Sequence, residues 1–151
     1  MRIADRDKST ARSLASFNNF SPVLRSLHIV SDDDGQLSSH DAFNLIRSFP
    51  LLEDLSIRCW GAITGDNQAF PQPSTSPILT GTLELDLHDR GIEYTARQLL
   101  GLPDGLYFKK FVCRWCGGGI PWIAALVEAC SNTLEYFEIG SPAGTSFQPL
   151  L

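Results

Sequence analysis

The sequence predicts an α/β solenoid, a short arc of about five parallel strands on a concave side with helices and loops on the convex side. Three observations predict it. A short pattern, with apolar residues at its first, fourth and sixth positions, occurs five times, the third time imperfectly, with Thr82 at its first position. The copies stand at nearly constant intervals, and the intervals carry either helical apolar spacing or turn-rich sequence. Repetition at a period of roughly 20–50 residues marks stacked architectures, in which one unit cannot bury its own apolar face and depends on its neighbours.

The five copies are Leu24, Leu27 and Ile29; Leu52, Leu55 and Ile57; Thr82, Leu85 and Leu87; Phe108, Phe111 and Cys113; and Leu134, Phe137 and Ile139. The central positions, Leu27, Leu55, Leu85, Phe111 and Phe137, are nearly evenly spaced, with the step from Leu55 to Leu85 the longest. The steps match or lie near the period of a leucine-rich repeat, which is roughly 20–29 residues. Strands are expected near positions 24–29, 52–57, 82–87, 108–113 and 134–139. Alternation along each strand sends Leu27 and Ile29 to one face and His28 to the other.

Three returns between strands read as helix. His40 and Asp41 stand before Ala42, Phe43, Leu45, Ile46 and Phe49, an apolar stripe of helical period preceded by capping serines and stopped by Pro50. Thr95 to Leu100 forms a shorter helical piece closed by Gly101 and Pro103. Pro121 suits the first turn of a helix that carries Trp122, Ile123, Leu126 and Val127 and ends near Asn132. The stretch 61–80, rich in Pro, Ser, Thr, Gly and Gln, reads as an irregular surface loop, which explains the longest step.

At 151 residues the chain suits a single folding unit. It divides into 1–20, an amino-terminal segment or partial cap, and 21–151, the repeat domain. Hydrophobic residues at 43% and charged residues at 19% supply enough apolar surface to fold. Twelve Lys and Arg against 17 Asp and Glu leave a net charge of −5, and the longest basic run is Lys109–Lys110. Nucleic acid is therefore excluded as an expected partner, because phosphate binding needs a concentrated cationic face. No apolar stretch has bilayer length and no apolar segment follows the charged first residues, so no membrane or secretory address is expected. Four cysteines without such an address fit a reducing compartment, cytoplasmic or nuclear.

The segments 48–55, 79–85 and 130–136, with Leu52, Leu83 and Leu134 each followed by an acidic residue, resemble the leucine-rich-repeat regions of F-box-like proteins of mushroom-forming fungi (basidiomycetes). The resemblance spans roughly Phe20 to Ile139. It implies a substrate-recognition role in a ubiquitin ligase, where a three-helix F-box docks the ligase and the repeats hold the target. The F-box itself is not expected in this sequence, since no Leu-Pro entry motif stands ahead of Phe20 and that segment is too short for the three-helix module.

Chemistry-bearing motifs are sparse. Cys113 and Cys116 have the spacing of a metal-chelating or redox pair, and a small zinc- or thiol-dependent protein is the alternative reading. The repeat accounts for both more simply, with Cys113 core-facing and Cys116 in the turn. His28, His40 and His88 form no metal-binding motif, and no Gly-x-Ser-x-Gly elbow is present. Gly117–Gly119 lacks the Gly-Lys-Ser/Thr signature of a phosphate loop, and Asp32–Gly35 lacks the ligand ladder of a calcium loop. No enzymatic activity, metal or cofactor is expected.

The concave face is the candidate site. Its expected rows run Ser26, Asp54, Glu84, Lys110, Tyr136; then His28, Ser56, Asp86, Val112, Glu138; then Val30, Arg58, His88, Arg114, Gly140. From these, Asp54, Arg58, Glu84, Asp86, His88, Lys110, Arg114, Tyr136 and Glu138, together with Trp115, are the expected contacts to a protein or peptide. Tyr, Trp and Arg are the types that most often dominate interface energetics. Reversing charge at Asp54, Glu84 and Asp86 together is expected to abolish partner capture without unfolding the chain. Solenoids also need terminal caps, so further repeats or a partner are expected to cover the carboxy-terminal end beyond Ile139.

Overall fold

A computed structural model describes residues 2–5, 23–31, 37–59, 63–64, 77–114, 119–140 and 146–147. The elements in chain order are β1 (Arg2–Asp5), β2 (Ser26–Ser31), β3 (Leu37–Ser38), α1 (Ser39–Arg47), β4 (Asp54–Cys59), β5 (Ile63–Thr64), β6 (Thr82–Leu87), α2 (Asp89–Leu100), β7 (Lys110–Arg114), α3 (Ile120–Ala129), β8 (Tyr136–Gly140) and β9 (Ser146–Phe147). The main sheet has the order β1-β2-β4-β6-β7-β8-β9. Pairing is parallel from β1 through β8, and β9 closes the series antiparallel to β8. The fold is thus α/β, and the strands of the main sheet lie in chain order.

All five expected strands form. Four begin two residues later than the pattern does, because Leu24, Leu52, Phe108 and Leu134 pack where the chain enters the sheet and precede the ladder. β1 falls within the amino-terminal segment, where no strand is expected; it extends the sheet by pairing Ile3 with Ile29. The antiparallel pairing of Ile139 with Phe147 covers part of the carboxy-terminal edge, where an open end is expected.

One register differs from the sequence reading. Leu55 lies beside Leu83, and Leu83 beside Phe111, so the central ladder is Leu27, Leu55, Leu83, Phe111 and Phe137. The first three steps of this ladder are therefore equal and the last is slightly shorter, and no loop excess lengthens the stretch ending at β6. A second ladder, Ile29, Ile57, Leu85, Cys113 and Ile139, runs beside the first on the same face.

Both ladders, except at β8, are buried in one core with Phe43, Ile46 and Phe49 around α1, Ile92, Ala96 and Leu99 of α2, and Ile123 and Leu126 of α3. Apolar burial on this scale is the main term favouring the fold. α2 is twice the expected length because its buried stripe begins at Ile92, directly after Gly91, which does not interrupt the helix. Gly119 lets α3 start against it, since a Cβ there would meet Ile92 carbons at 3.0 Å. The expected loop 61–80 contains β5, which pairs with β3 in a separate two-stranded ribbon; 65–76 lie outside the described residues.

Backbone hydrogen bonds tie the entering segments side by side. The Arg25 carbonyl accepts from Glu53 and Asp54 N–H, that of Gly81 from Lys109 and Lys110, and that of Lys109 from Glu135 and Tyr136. Between β4 and β6 the scheme changes. The Glu53 carbonyl accepts from Gly81, while Thr82 N–H donates to the Asp54 carboxylate at 2.7 Å.

Candidate functional site

The face of the main sheet opposite the core is built by the alternate strand residues, and the register decides its rows. The middle row reads His28, Ser56, Glu84, Val112, Glu138, and the row at the strand ends reads Val30, Arg58, Asp86, Arg114, Gly140. In the first row Ser26 lies beside Asp54, Thr82 beside Lys110, and Lys110 beside Tyr136. Glu84 and Asp86 thus each occupy a row one further along than expected. His88 leaves the face altogether, standing between the end of β6 and the start of α2. Trp115, with Cys116, lies outside the described residues.

Charges on this face are arranged to satisfy one another. Arg58 Nε lies 3.0 Å from Asp86 Oδ2, on the neighbouring strand of the same row. The Asp86 side chain is only 8% exposed, so it acts as a buried anchor for Arg58 and presents little surface to a partner. Arg114 Nη2 reaches diagonally to Glu84 Oε1 at 3.2 Å. The opposite charges on adjacent strands make these cross-strand contacts, which stabilise a sheet by modest amounts where solvent reaches them.

A second cluster lies across β7 and β8. Lys110 Nζ sits 5.0 Å from the centroid of the Tyr136 ring, whose hydroxyl donates to Glu138 Oε2 at 2.8 Å. Between the two clusters Val112, on the open face yet only 5% exposed, is flanked in its row by Glu84 and Glu138. The structure therefore brings Arg58, Glu84, Asp86 and Arg114 into one network, and Lys110, Tyr136 and Glu138 into another. Ser26 and His28 form a third small contact at 3.3 Å toward the amino-terminal side.

The Asp54 carboxylate is engaged by the backbone. It holds the backbone of the next strand through Thr82, and Gly81 makes room for it, since a Cβ on Gly81 would run into Asp54 Oδ1. With Asp54 occupied by the backbone and Asp86 buried against Arg58, reversing their charge would disturb the sheet as well as the face. Gly81 is not among the expected site residues; its signal in the sequence is Thr80, Gly81 and Thr82 directly before Leu83, because a glycine at the entry to a strand marks a close approach.

Comparison with family models, curated proteins and solved structures finds no match. Cys113 belongs to the core ladder, on the side of β7 away from Arg114, and is fully buried. Cys130 is buried at the end of α3, where desolvation raises its thiol pKa above the ordinary value and a backbone hydrogen bond involving Phe108 partly offsets the rise. A buried thiol held protonated is a poor nucleophile and a poor metal ligand. Among the described residues no group of three or more His, Cys, Asp or Glu is placed to hold a metal ion, and no helix is long and apolar enough to cross a membrane.

Proposed function

We propose that the chain is a leucine-rich-repeat domain whose open sheet face binds a protein or peptide without catalysing a reaction. The observation that carries the repeat reading is the ladder of Leu27, Leu55, Leu83, Phe111 and Phe137, in which near-equal sequence intervals coincide with strands laid side by side in chain order. Such stacking forms a horseshoe arc with the strands inside and the helices outside. The resemblance to basidiomycete F-box-like proteins supports a substrate-recognition segment of a ubiquitin-ligase subunit, acting in the cytoplasm or nucleus.

The binding surface centres on Lys110, Tyr136 and Glu138, beside the half-exposed guanidiniums of Arg58 and Arg114. A guanidinium has five N–H donors in a fixed fork, so each arginine keeps donors for a partner after pairing with one carboxylate. The tyrosine ring supplies rigid contact area at low entropic cost.

The test is affinity capture with the native chain, with a variant carrying Lys110→Ala, Tyr136→Ala and Glu138→Ala, and with Arg97→Ala on the helical side as a control, all three checked for cooperative melting. Proteins held by the native chain and the control are expected to be lost from the triple variant. An identical captured set from all three would overturn the placement.

A further inference from the structure

Six large hydrophobic side chains are exposed among the described residues, and four of them stand where the chain enters successive strands: Val23 before β2, Leu51 before β4, Ile78 before β6 and Tyr107 before β7. Each is 45–64% exposed. Because the strands are parallel and in chain order, all four entries lie along one rim of the sheet, and the hydrogen bonds from Gly81 N–H to the Glu53 carbonyl and from Tyr107 N–H to the Leu79 carbonyl hold the entries abreast. The result is a line of exposed apolar side chains along the rim, out of step by one residue at β6, where the buried Leu79 continues the line of Leu51 and Tyr107, and Ile78 stands just before it. Exposed apolar side chains bordered by charges are characteristic of an interaction surface.

The bordering charges identify the occupant. Between the apolar residues and the strands, at the same position in each repeat, stand Arg25, Glu53, Gly81, Lys109 and Glu135. Along the rim the charges read plus, minus, none, plus, minus. The pairs Arg25–Glu53 and Lys109–Glu135 are in contact within the chain, and all four side chains are 41–70% exposed, which leaves their outer surfaces accessible.

We propose that this rim docks against the same rim of a second copy of the chain, across a two-fold axis perpendicular to the sheet. That axis reverses the row, so Arg25 faces the partner's Glu135, Glu53 faces the partner's Lys109, and Gly81 faces itself at the centre. Every charge meets its opposite. A two-fold axis running along the row would set Arg25 against Arg25 and Glu53 against Glu53, and the charge order rejects it. In the reversed arrangement Leu51 meets the partner's Tyr107, and Ile78 meets its own copy beside the side-chain-free Gly81. The interface is isologous, as closed dimers require. The rotation preserves the direction of the sheet normal, so both open faces look the same way and a dimer presents two copies of that face side by side.

The charge order provides a reciprocal test that separates docking from folding. Sedimentation equilibrium on the native chain is expected to show a concentration-dependent rise from 16.6 kDa toward twice that mass, weakened by added salt. Glu53→Lys places like charges at two symmetry-related contacts, and Lys109→Glu does the same, so each variant alone is expected to remain at 16.6 kDa while melting as a folded protein. Mixed in equal amounts, the two variants restore opposite charges at all four contacts, and the dimer is expected to return. A native chain that stays monomeric at all concentrations would overturn the proposal, as would single variants that dimerise like the native chain or a mixture that does not associate. Should either variant fail to fold, Leu51→Asp at the apolar row gives the same prediction of a folded monomer, and a dimer that survives it would contradict the assigned rim.

Discussion

β6 and β8 carry the same kind of strand sequence and meet different fates. In β6, Leu83 and Leu85 are fully buried, whereas in β8 the corresponding Phe137 and Ile139 are only partly buried and every residue of the strand is intermediate in exposure. Both strands present apolar residues to the same side. β6 lies between β4 and β7, each paired along most of its length, while β8 has β7 on one side and the two-residue β9 on the other. The difference teaches that burial in this fold belongs to the neighbours: a strand's own pattern selects which side chains turn inward, and the flanking strands decide how completely they leave water.

The contrast is broken most sharply by truncating the shared ladder. Phe111→Ala, in the fully buried part of it, is expected to cost ~3–5 kcal/mol. Phe137→Ala is expected to cost distinctly less, because its ring is partly exposed and packs on Phe111 from the outside, with ring centroids 5.5 Å apart. Urea denaturation of both variants measures the gap; equal losses would mean that the terminal strand is as enclosed as the interior one.

A smaller effect sharpens the comparison at the junction that only β4 and β6 share. Gly81→Ala drives a Cβ into the Asp54 carboxylate and breaks its hydrogen bond to Thr82, at an expected cost of about 1–3 kcal/mol. Adding Asp54→Ala to Gly81→Ala removes the clash, so the double variant is expected to lose less than the sum of the two single losses. Additive losses from the same denaturation experiment would separate Gly81 from Asp54.

The smallest expected change lies on the helical side. Arg97, itself exposed, pairs with Glu93 at 2.8 Å and lies over the partly buried Trp122 ring at 4.8 Å. Arg97→Ala is expected to cost no more than about 1 kcal/mol in the same denaturation series. A loss matching that of Phe111→Ala would show that α2 and α3 are held together by this contact, leaving the buried Ile92 with a minor role.

Much of this is legible in the sequence, and the exceptions have definite causes. The strands and the helices around Phe43 and Ile123 follow from period-two and period-3.6 apolar spacing. The register of β6 does not, because Leu83, Leu85 and Leu87 form an alternating run that fits the repeat in two ways. A one-residue slip would turn the apolar residues outward, but a two-residue slip keeps every side chain on its own face. Hydrophobic patterning is therefore silent between them, and the equal spacing of Leu27, Leu55, Leu83 and Phe111 is the discriminating signal. The misplacement of Glu84, Asp86 and His88 on the open face follows directly from that slip. The role of Asp54 is hidden for another reason: a carboxylate that accepts a backbone N–H looks the same in sequence as one that faces a partner.

The central claim, that consecutive repeats stack as parallel strands with Leu83 in the ladder beside Leu55, is tested most directly by cross-strand backbone Overhauser contacts in an isotopically labelled sample. Contacts are predicted between the Leu55 and Leu83 segments, between Leu83 and Phe111, and between Phe111 and Phe137, all with parallel geometry. Contacts that set Leu55 opposite Leu85, or any antiparallel pairing among these four strands, would contradict it.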